Sequence, residues 1–198
     1  MLNHIFGFSN DELLTFTKKR NIAFAFLIVT TLFSGCAKWK NPEPAELEPV
    51  KYVYAKDGDT IGVTNMSGES LTVRLIGIDA PESVAPESYT EKTGKENNEY
   101  GEKAAEHLTL MLKDCDLIYL EYDQEMTDSY DRVLAYVHLT DSPDITNTAN
   151  YRMLDDGYAI TMEIAPNVKY CKEFLEAEKG AMNAGRGLWG LGVFEAKE

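Results

Sequence analysis

Beyond residue 49 the chain alternates short runs of branched and apolar residues with polar, glycine-bearing breaks. Residues 50–55, 60–64 and 71–78 are rich in Val, Ile, Leu, Thr and Tyr, and runs of this length bounded by turn residues predict strands with side chains on alternating faces. Asn65-Met66-Ser67-Gly68 predicts the turn between the second and third. Residues 117–122 and 132–139 predict a fourth and a fifth strand; in the fifth, Val133, Ala135 and Val137 alternate with Leu134, Tyr136 and His138. Between the third and fourth strands the period changes. From Tyr100-Gly101 onward, Ala105, Leu108, Met111 and Leu112 recur at helical spacing, with Glu102, Lys103 and Glu106 largely on the other side, which predicts a helix with one core-facing stripe. A short helix is expected over residues 150–156, with Asn150 as its N-cap and Gly157 just past its end. A longer one is expected over 168–183. Gly185-Arg186-Gly187-Leu188-Trp189-Gly190 then closes the domain, with Trp189 as an expected core anchor. Residues 83–99, polar and carrying Pro86 and Gly94, predict a long loop.

Five strands with a helix between the third and fourth fit an α+β OB-fold, a five-stranded Greek-key barrel with about three helices. Such barrels serve many functions, so the site must be argued from its residues.

The first 49 residues read differently. Lys18, Lys19 and Arg20 precede an apolar run over residues 22–33, too short to span a bilayer comfortably but suited to a signal-peptide core. The run ends in Leu32-Phe33-Ser34-Gly35-Cys36, which resembles a bacterial lipoprotein processing box with lipid carried on Cys36. The expected organisation is a signal peptide over 1–35, lipidated Cys36 and an extended spacer to residue 49, a folded domain over 50–190, and a tail over 191–198. Acylation at Cys36 would hold the exported protein at a membrane surface of the cell envelope, on its periplasmic or extracellular side. A plain secretory signal and an uncleaved anchor stay open as alternatives. Cys115 and Cys171, in an exported chain, leave a disulfide open as well. His4, His107 and His138 show no metal-ligand spacing and are expected at the surface or core edge.

Candidate chemistry gathers at two places. Arg74 to Glu82 reads Arg-Leu-Ile-Gly-Ile-Asp-Ala-Pro-Glu. On strict alternation Arg74 and Asp79 would face opposite ways. Gly77 between them is expected to bend the strand and change the parity, so that both share a face. Pro81 then fixes a turn that brings Glu82 back toward Asp79. The second place is Lys56-Asp57-Gly58-Asp59-Thr60, a tight connection between the first two strands. An EF-hand reading of it fails, because Ile61 and Gly68 would fall where oxygen ligands are required. Asp59 with Asp79, a backbone carbonyl and waters would instead make a partial oxygen site that suits a hard cation such as Ca²⁺ better than zinc.

Charge argues the other way. The formal net charge is −14, and loss of residues 1–35 would move it to −15, whereas proteins that bind nucleic acid are usually basic. Arg74, Arg132 and a bound divalent ion would have to concentrate positive charge locally, so weak, salt-sensitive binding of a polyanion is expected.

Taken together, Asp57-Gly58-Asp59-Thr60, Arg74 through Glu82, Tyr100-Gly101-Glu102-Lys103-Ala104, Tyr130-Asp131-Arg132 and Gly187-Leu188-Trp189 resemble, in order and spacing, the staphylococcal nuclease (thermonuclease) family over about residues 50–190. The resemblance implies a Ca²⁺-dependent phosphodiesterase that cuts DNA and RNA without sequence specificity, leaves 3′-phosphates, and acts as a monomer with no obligate protein partner. It implies Asp59, Asp79 and the Ala80 carbonyl as metal ligands, and Glu82 as the residue that positions or deprotonates the attacking water. Arg74 and Arg132 are implied as phosphate-binding catalytic groups, with Tyr130 beside the substrate.

Three departures accompany the resemblance. Ser129 stands where a well-studied member has a lysine, and Asp131 where it has a glycine. Its nucleotide-flanking tyrosine pair has no counterpart, since Met162 and Glu163 occupy roughly those places, although Tyr158 is close. The loop after Glu82 is longer than usual. The rival reading is an inactive OB-fold module that binds nucleic acid or protein at a membrane, and it would be expected to lack at least one of Asp59, Asp79, Glu82, Arg74 and Arg132. All five are present.

Overall fold

The computed structural model describes residues 46–83 and 99–195. The expected signal peptide, lipidated Cys36, most of the spacer and most of the loop after Glu82 lie outside the described residues. Strands β1 (Glu48–Ala55), β2 (Thr60–Asn65), β3 (Ser70–Leu75), β5 (Ile118–Glu121) and β6 (Val133–His138) close into a barrel in the order β1-β2-β3-β6-β5. Neighbours pair antiparallel except β3 and β6, which run parallel with Arg74 opposite Leu134. A parallel pair cannot be joined by a tight turn; its crossover carries helix α1 (Glu99–Leu112) and β5. Helices α2 (Ala149–Asp155) and α3 (Cys171–Ala184) follow. Among the described residues the barrel is the expected α+β OB-fold with three α-helices. Its first strand starts at Glu48, where Pro49 already pairs with Tyr119.

The core follows the apolar pattern with local corrections. Val50, Ile61, Val63, Val73, Leu75, Ile118, Leu120, Ala135 and Val137 fill the barrel. On α1 the buried stripe is Gly101, Ala104, Leu108 and Leu112; Ala105 and Met111, expected in it, lie at its margin. The expected third strand is divided. It breaks after Leu75 at Ile76-Gly77, and a separate short strand β4 (Ile78–Asp79) pairs with β7 (Ile160–Thr161). Gly77 has φ +81°, and a Cβ there would meet the Phe174 ring at 2.7 Å, so both conformation and packing demand glycine.

Asn150 is not the cap of α2. Thr148 caps it, accepting from the Tyr151 N–H at 3.1 Å. Asn150 is fully buried one residue into the helix, where its side chain accepts from Val137 N at 2.9 Å and donates to the Ile76 carbonyl at 2.8 Å. It thereby ties the end of β3 to β6, a role no local pattern reveals. Gly157, as expected, sits past the helix end with φ +79°. At the closing turn Leu188 is buried while Trp189 is only partly so, so the anchor is the leucine. Cys115 and Cys171 are both free thiols.

His138 was expected at an edge and is instead fully buried, with Nε2 2.6 Å from Glu121 Oε2. Glu121 also accepts from the Tyr170 hydroxyl at 2.9 Å and from the Lys169 ammonium. Burial pushes its carboxyl upward, but the hydrogen bonds from His138, Lys169 and Tyr170 outweigh this and hold it down at about 2. His107 is partly buried, 2.9 Å from Asp156 and stacked on Tyr158 at 4.0 Å between ring centroids.

Candidate active site

The acidic connection between β1 and β2 is held from three sides. Lys56 N donates to the Thr60 carbonyl at 2.8 Å, closing the turn, and Leu75 N donates to the Asp59 carbonyl at 2.8 Å, fastening it to the end of β3. Gly58 passes so near both the turn after β4 and α1 that a Cβ would lie 2.6 Å from Ala80 Cβ and 2.7 Å from Ala104 Cβ. The Asp59 carboxylate is therefore fixed. Its Oδ1 accepts from Thr60 Oγ1 at 3.0 Å and its Oδ2 from Ala80 N at 2.9 Å. Asp57, its buried neighbour, accepts from Asp59 N at 3.2 Å, and burial pushes the Asp57 carboxyl up against the opposing pull of Arg74.

Arg74 projects from β3 and is only 9% exposed. Its Nη2 is 3.3 Å from Asp79 Oδ1, and its Nη1 contacts Asp59 Oδ1 as an ion pair without hydrogen-bond alignment. The bend at Gly77 has restored the shared face that strict alternation would have denied. One guanidinium therefore touches both carboxylates, bringing Asp59 and Asp79 to the same corner. Burial lowers the basicity of Arg74; Asp79, Asp57 and Glu82 oppose that, and Arg132 reinforces it. Glu82 and Arg132 thus both act on Arg74 electrostatically. Glu82 is held through its backbone: a Cβ at Gly101 would stand 2.0 Å from the Glu82 carbonyl oxygen, so only glycine lets the first turn of α1 lie against it. The next residue, Ser83, donates from Oγ to the Lys56 carbonyl at 2.5 Å.

Arg132 enters from the loop before β6. It and Arg74 line one groove of about 300 Å³, together with Asp79, Asp128, Leu134, Met162 and Ile164. Two ties shape that groove: Met162 N donates to the Gly77 carbonyl at 3.0 Å, and the side-chain amide of the buried Asn167 accepts from Glu125 N and donates to the Glu125 carbonyl, each at 2.8 Å. The groove thus sets two guanidinium groups among three carboxylates, Asp79, Glu125 and Asp128. Of the expected site residues, Asp59, Arg74, Asp79, Ala80 and Glu82 converge at the corner, and Arg132 joins Arg74 in the groove. Tyr130 is placed outside it, 74% exposed, with Arg132 Cζ 5.5 Å from its ring centroid. Met162 and Ile164, rather than Met162 and Glu163, face the groove, and Tyr158 is turned away onto His107.

Among the described residues no three His, Cys, Asp or Glu side chains form a ready metal cage. What the corner offers is an all-oxygen set, two carboxylates beside the Ala80 backbone, which fits a hard divalent cation completed by water and does not fit zinc. Sequence reasoning missed Asp128, Asn150 and Asn167. Asp128 alone left a local signal, an aspartate four residues before an arginine inside a turn.

Fold and groove together define an OB-fold barrel with two arginines lining one groove beside a carboxylate corner. A family model described as staphylococcal nuclease homologue matches residues 72–190. The chain is 29% identical over 171 residues to the thermonuclease of Staphylococcus hyicus, covering 85% of this chain and 93% of that one. It is 35% identical over 133 residues to the thermonuclease of Staphylococcus intermedius, covering 67% and 71%. Against the SPbeta prophage-derived endonuclease YokF of Bacillus subtilis it is 34% identical over 146 residues, covering 73% of this chain and 45% of that one. The chain belongs to the staphylococcal nuclease family.

Proposed function

We propose that the protein is a nuclease that hydrolyses phosphodiester bonds in DNA and RNA with Ca²⁺ and leaves 3′-phosphate ends. The observation that carries this reading is the convergence of Arg74 and Arg132 on one groove while Arg74 touches both Asp59 and Asp79. A phosphodiester under in-line attack gathers negative charge on its phosphoryl oxygens. Two guanidinium groups facing the same groove bind and orient those oxygens by charge-assisted hydrogen bonds. Glu82, its backbone fixed against Gly101, accepts the proton of the attacking water. The bond from phosphorus to the 5′ oxygen breaks, that oxygen keeps the electron pair and takes a proton from solvent to leave as an alcohol, and the phosphate stays on the 3′ side. Asp59, Asp79 and the Ala80 carbonyl would hold the cation, which when bound supplies Lewis-acid stabilisation of phosphoryl charge.

The full-length protein is expected to digest DNA and RNA with Ca²⁺, to stop in EDTA, and to lose most activity as Glu82→Gln. Digestion indifferent to EDTA and to Glu82→Gln would reject this mechanism. The second reading is an inactive OB-fold module that binds protein or nucleic acid without cutting; within it the net charge of −14 favours a protein partner over a polyanion. Absence of cleavage under any divalent ion, with nucleic-acid binding retained, would select it. On the nuclease reading, substrate affinity falls steeply with added salt.

We infer further that the protein is exported and carried on a membrane through lipid at Cys36, a reading supported by Lys18, Lys19 and Arg20 before the apolar run that ends at Cys36. Metabolic labelling with palmitate tests it: label in the wild type and none in Cys36→Ser is expected, and label retained in Cys36→Ser would overturn it.

A further inference from the structure

Asp128 lies in the loop between β5 and β6, four residues before Arg132, and devotes both carboxylate oxygens to that loop. Oδ1 accepts from the backbone N–H of Tyr130 at 2.9 Å and of Arg132 at 3.0 Å. Oδ2 accepts from Arg132 Nε at 2.8 Å and lies 2.8 Å from Nη2. The backbone closes around the pair, with Asp128 N donating to the Arg132 carbonyl at 3.0 Å, Asp131 N to the Asp128 carbonyl at 3.2 Å, and Asp131 in the left-handed region at φ 59°. Partial burial pushes the Asp128 carboxyl up, but the N–H groups of Arg132 and Tyr130 and the guanidinium hold it below the usual carboxylate range. A guanidinium is a flat fork of five N–H donors. With its Nε and Nη2 edge taken by Asp128, the Nη1 side remains for another acceptor, and both residues line the groove shared with Arg74.

We propose that Asp128 is a positioning residue, holding the Nε–Nη2 edge of Arg132 so that the rest of its guanidinium meets a phosphoryl group in the groove. The proposal rests on the nuclease reading above and names how one of its phosphate contacts is set. Two effects oppose each other here. A carboxylate beside Arg132 repels a phosphate, but it also freezes a long, rotamer-rich side chain before substrate arrives. Because the carboxylate and the phosphoryl group use different edges of the fork, neither displaces the other, and the pre-alignment is retained on binding.

The discriminating variant is Asp128→Asn. Its amide oxygen can still accept from the N–H groups of Tyr130 and Arg132, so the turn survives, whereas its amide nitrogen cannot accept from Arg132 Nε. On DNA with Ca²⁺, kcat/KM is expected to fall about tenfold, the loss of one charge-assisted hydrogen-bond pair. In an Arg132→Ala background Asp128→Asn is expected to change nothing further. Wild-type or higher kcat/KM in the single variant, or full additivity in the double variant, would overturn the proposal. Asp128→Ser, which keeps a hydroxyl acceptor for the turn, serves with the same expectations should Asp128→Asn fail to fold.

A second readout does not require cleavage. Inorganic phosphate is titrated into wild type and Asp128→Asn while the Nε–H resonance that disappears in Arg132→Ala is followed. The midpoint is expected about tenfold higher in Asp128→Asn, and equal midpoints would overturn the positioning role. A wild-type protein showing that phosphate difference while cutting neither DNA nor RNA would sink the nuclease reading and leave the positioning role standing.

Discussion

Two clusters of buried charge sit in this barrel and are built on opposite plans. Around Glu121, three donors from β6 and from the segment before α3 converge on one carboxylate, and the result is a deeply depressed acid that is content as it stands. Around Arg74, one cation lies between the acids Asp59 and Asp79, touches Asp59 without proper alignment, and faces a second cation across a groove. The first cluster spends its electrostatics on the fold. The second sets its charges beside a groove, where Asp79 and Arg132 keep part of their surface accessible to a ligand. Even the stabilising cluster is not complete, since His138 Nδ1 is buried with no hydrogen-bond partner among the described residues.

Substitutions should separate the two plans. Glu82→Gln is expected to lower turnover by about 10²–10³-fold, the scale of a lost general base, while leaving the urea midpoint of unfolding where it was. Steady-state kinetics and denaturation on one preparation check both halves, and a variant that loses stability in proportion to activity would erase the distinction. Glu121→Gln is expected to do the reverse. It should lower the unfolding free energy at pH 7 by about 2–3 kcal/mol, as expected when a buried carboxylate loses its charge and one of its two acceptor oxygens becomes an amide donor facing His138, Lys169 or Tyr170, with specific activity of the folded fraction unchanged.

The pH dependence sharpens this. Glu121 titrates near 2 in the folded protein against 4.5 ordinarily, so its stabilisation is fully present above about 4.5 and is lost as pH falls from there toward 2. Unfolding free energy measured across that window should drop more steeply in wild type than in Glu121→Gln; parallel curves would show that Glu121 is not the group concerned. The smallest expected effect belongs to neither cluster. Thr148→Ala removes the cap of α2 and should cost about 1 kcal/mol by urea titration, with both the acid limb and turnover unaltered.

Much of the barrel was readable along the chain because its strands bury one face and alternate, and because the α1 stripe repeats at helical spacing. The Gly77 bend was readable too, since glycine inside a strand pattern has few other uses, and with it the pairing of Arg74 and Asp79. The misjudged residues share a cause. Asn150 looked like a cap because asparagine often is one locally, yet its partners are the ends of β3 and β6, up to 74 positions away. His138 looked peripheral because nothing near it in sequence announces that Glu121, 17 residues earlier, would face it across the sheet. Trp189 looked like an anchor because of its size, but the turn buries Leu188 instead.

Residue types and spacing by themselves determined which groups this protein has to work with: an acidic connection, a strand ending in arginine and aspartate, and a second arginine before the last barrel strand. Only the tertiary structure decided that Arg74 and Arg132 share a groove, that Asp128 grips one edge of Arg132, and that Gly58 and Gly101 let α1 press the acidic turn and Glu82 into place. Local preferences act over a few residues and leave a trace in the sequence. Convergence of distant side chains depends on barrel closure and on contacts between backbones, and no single segment carries that information.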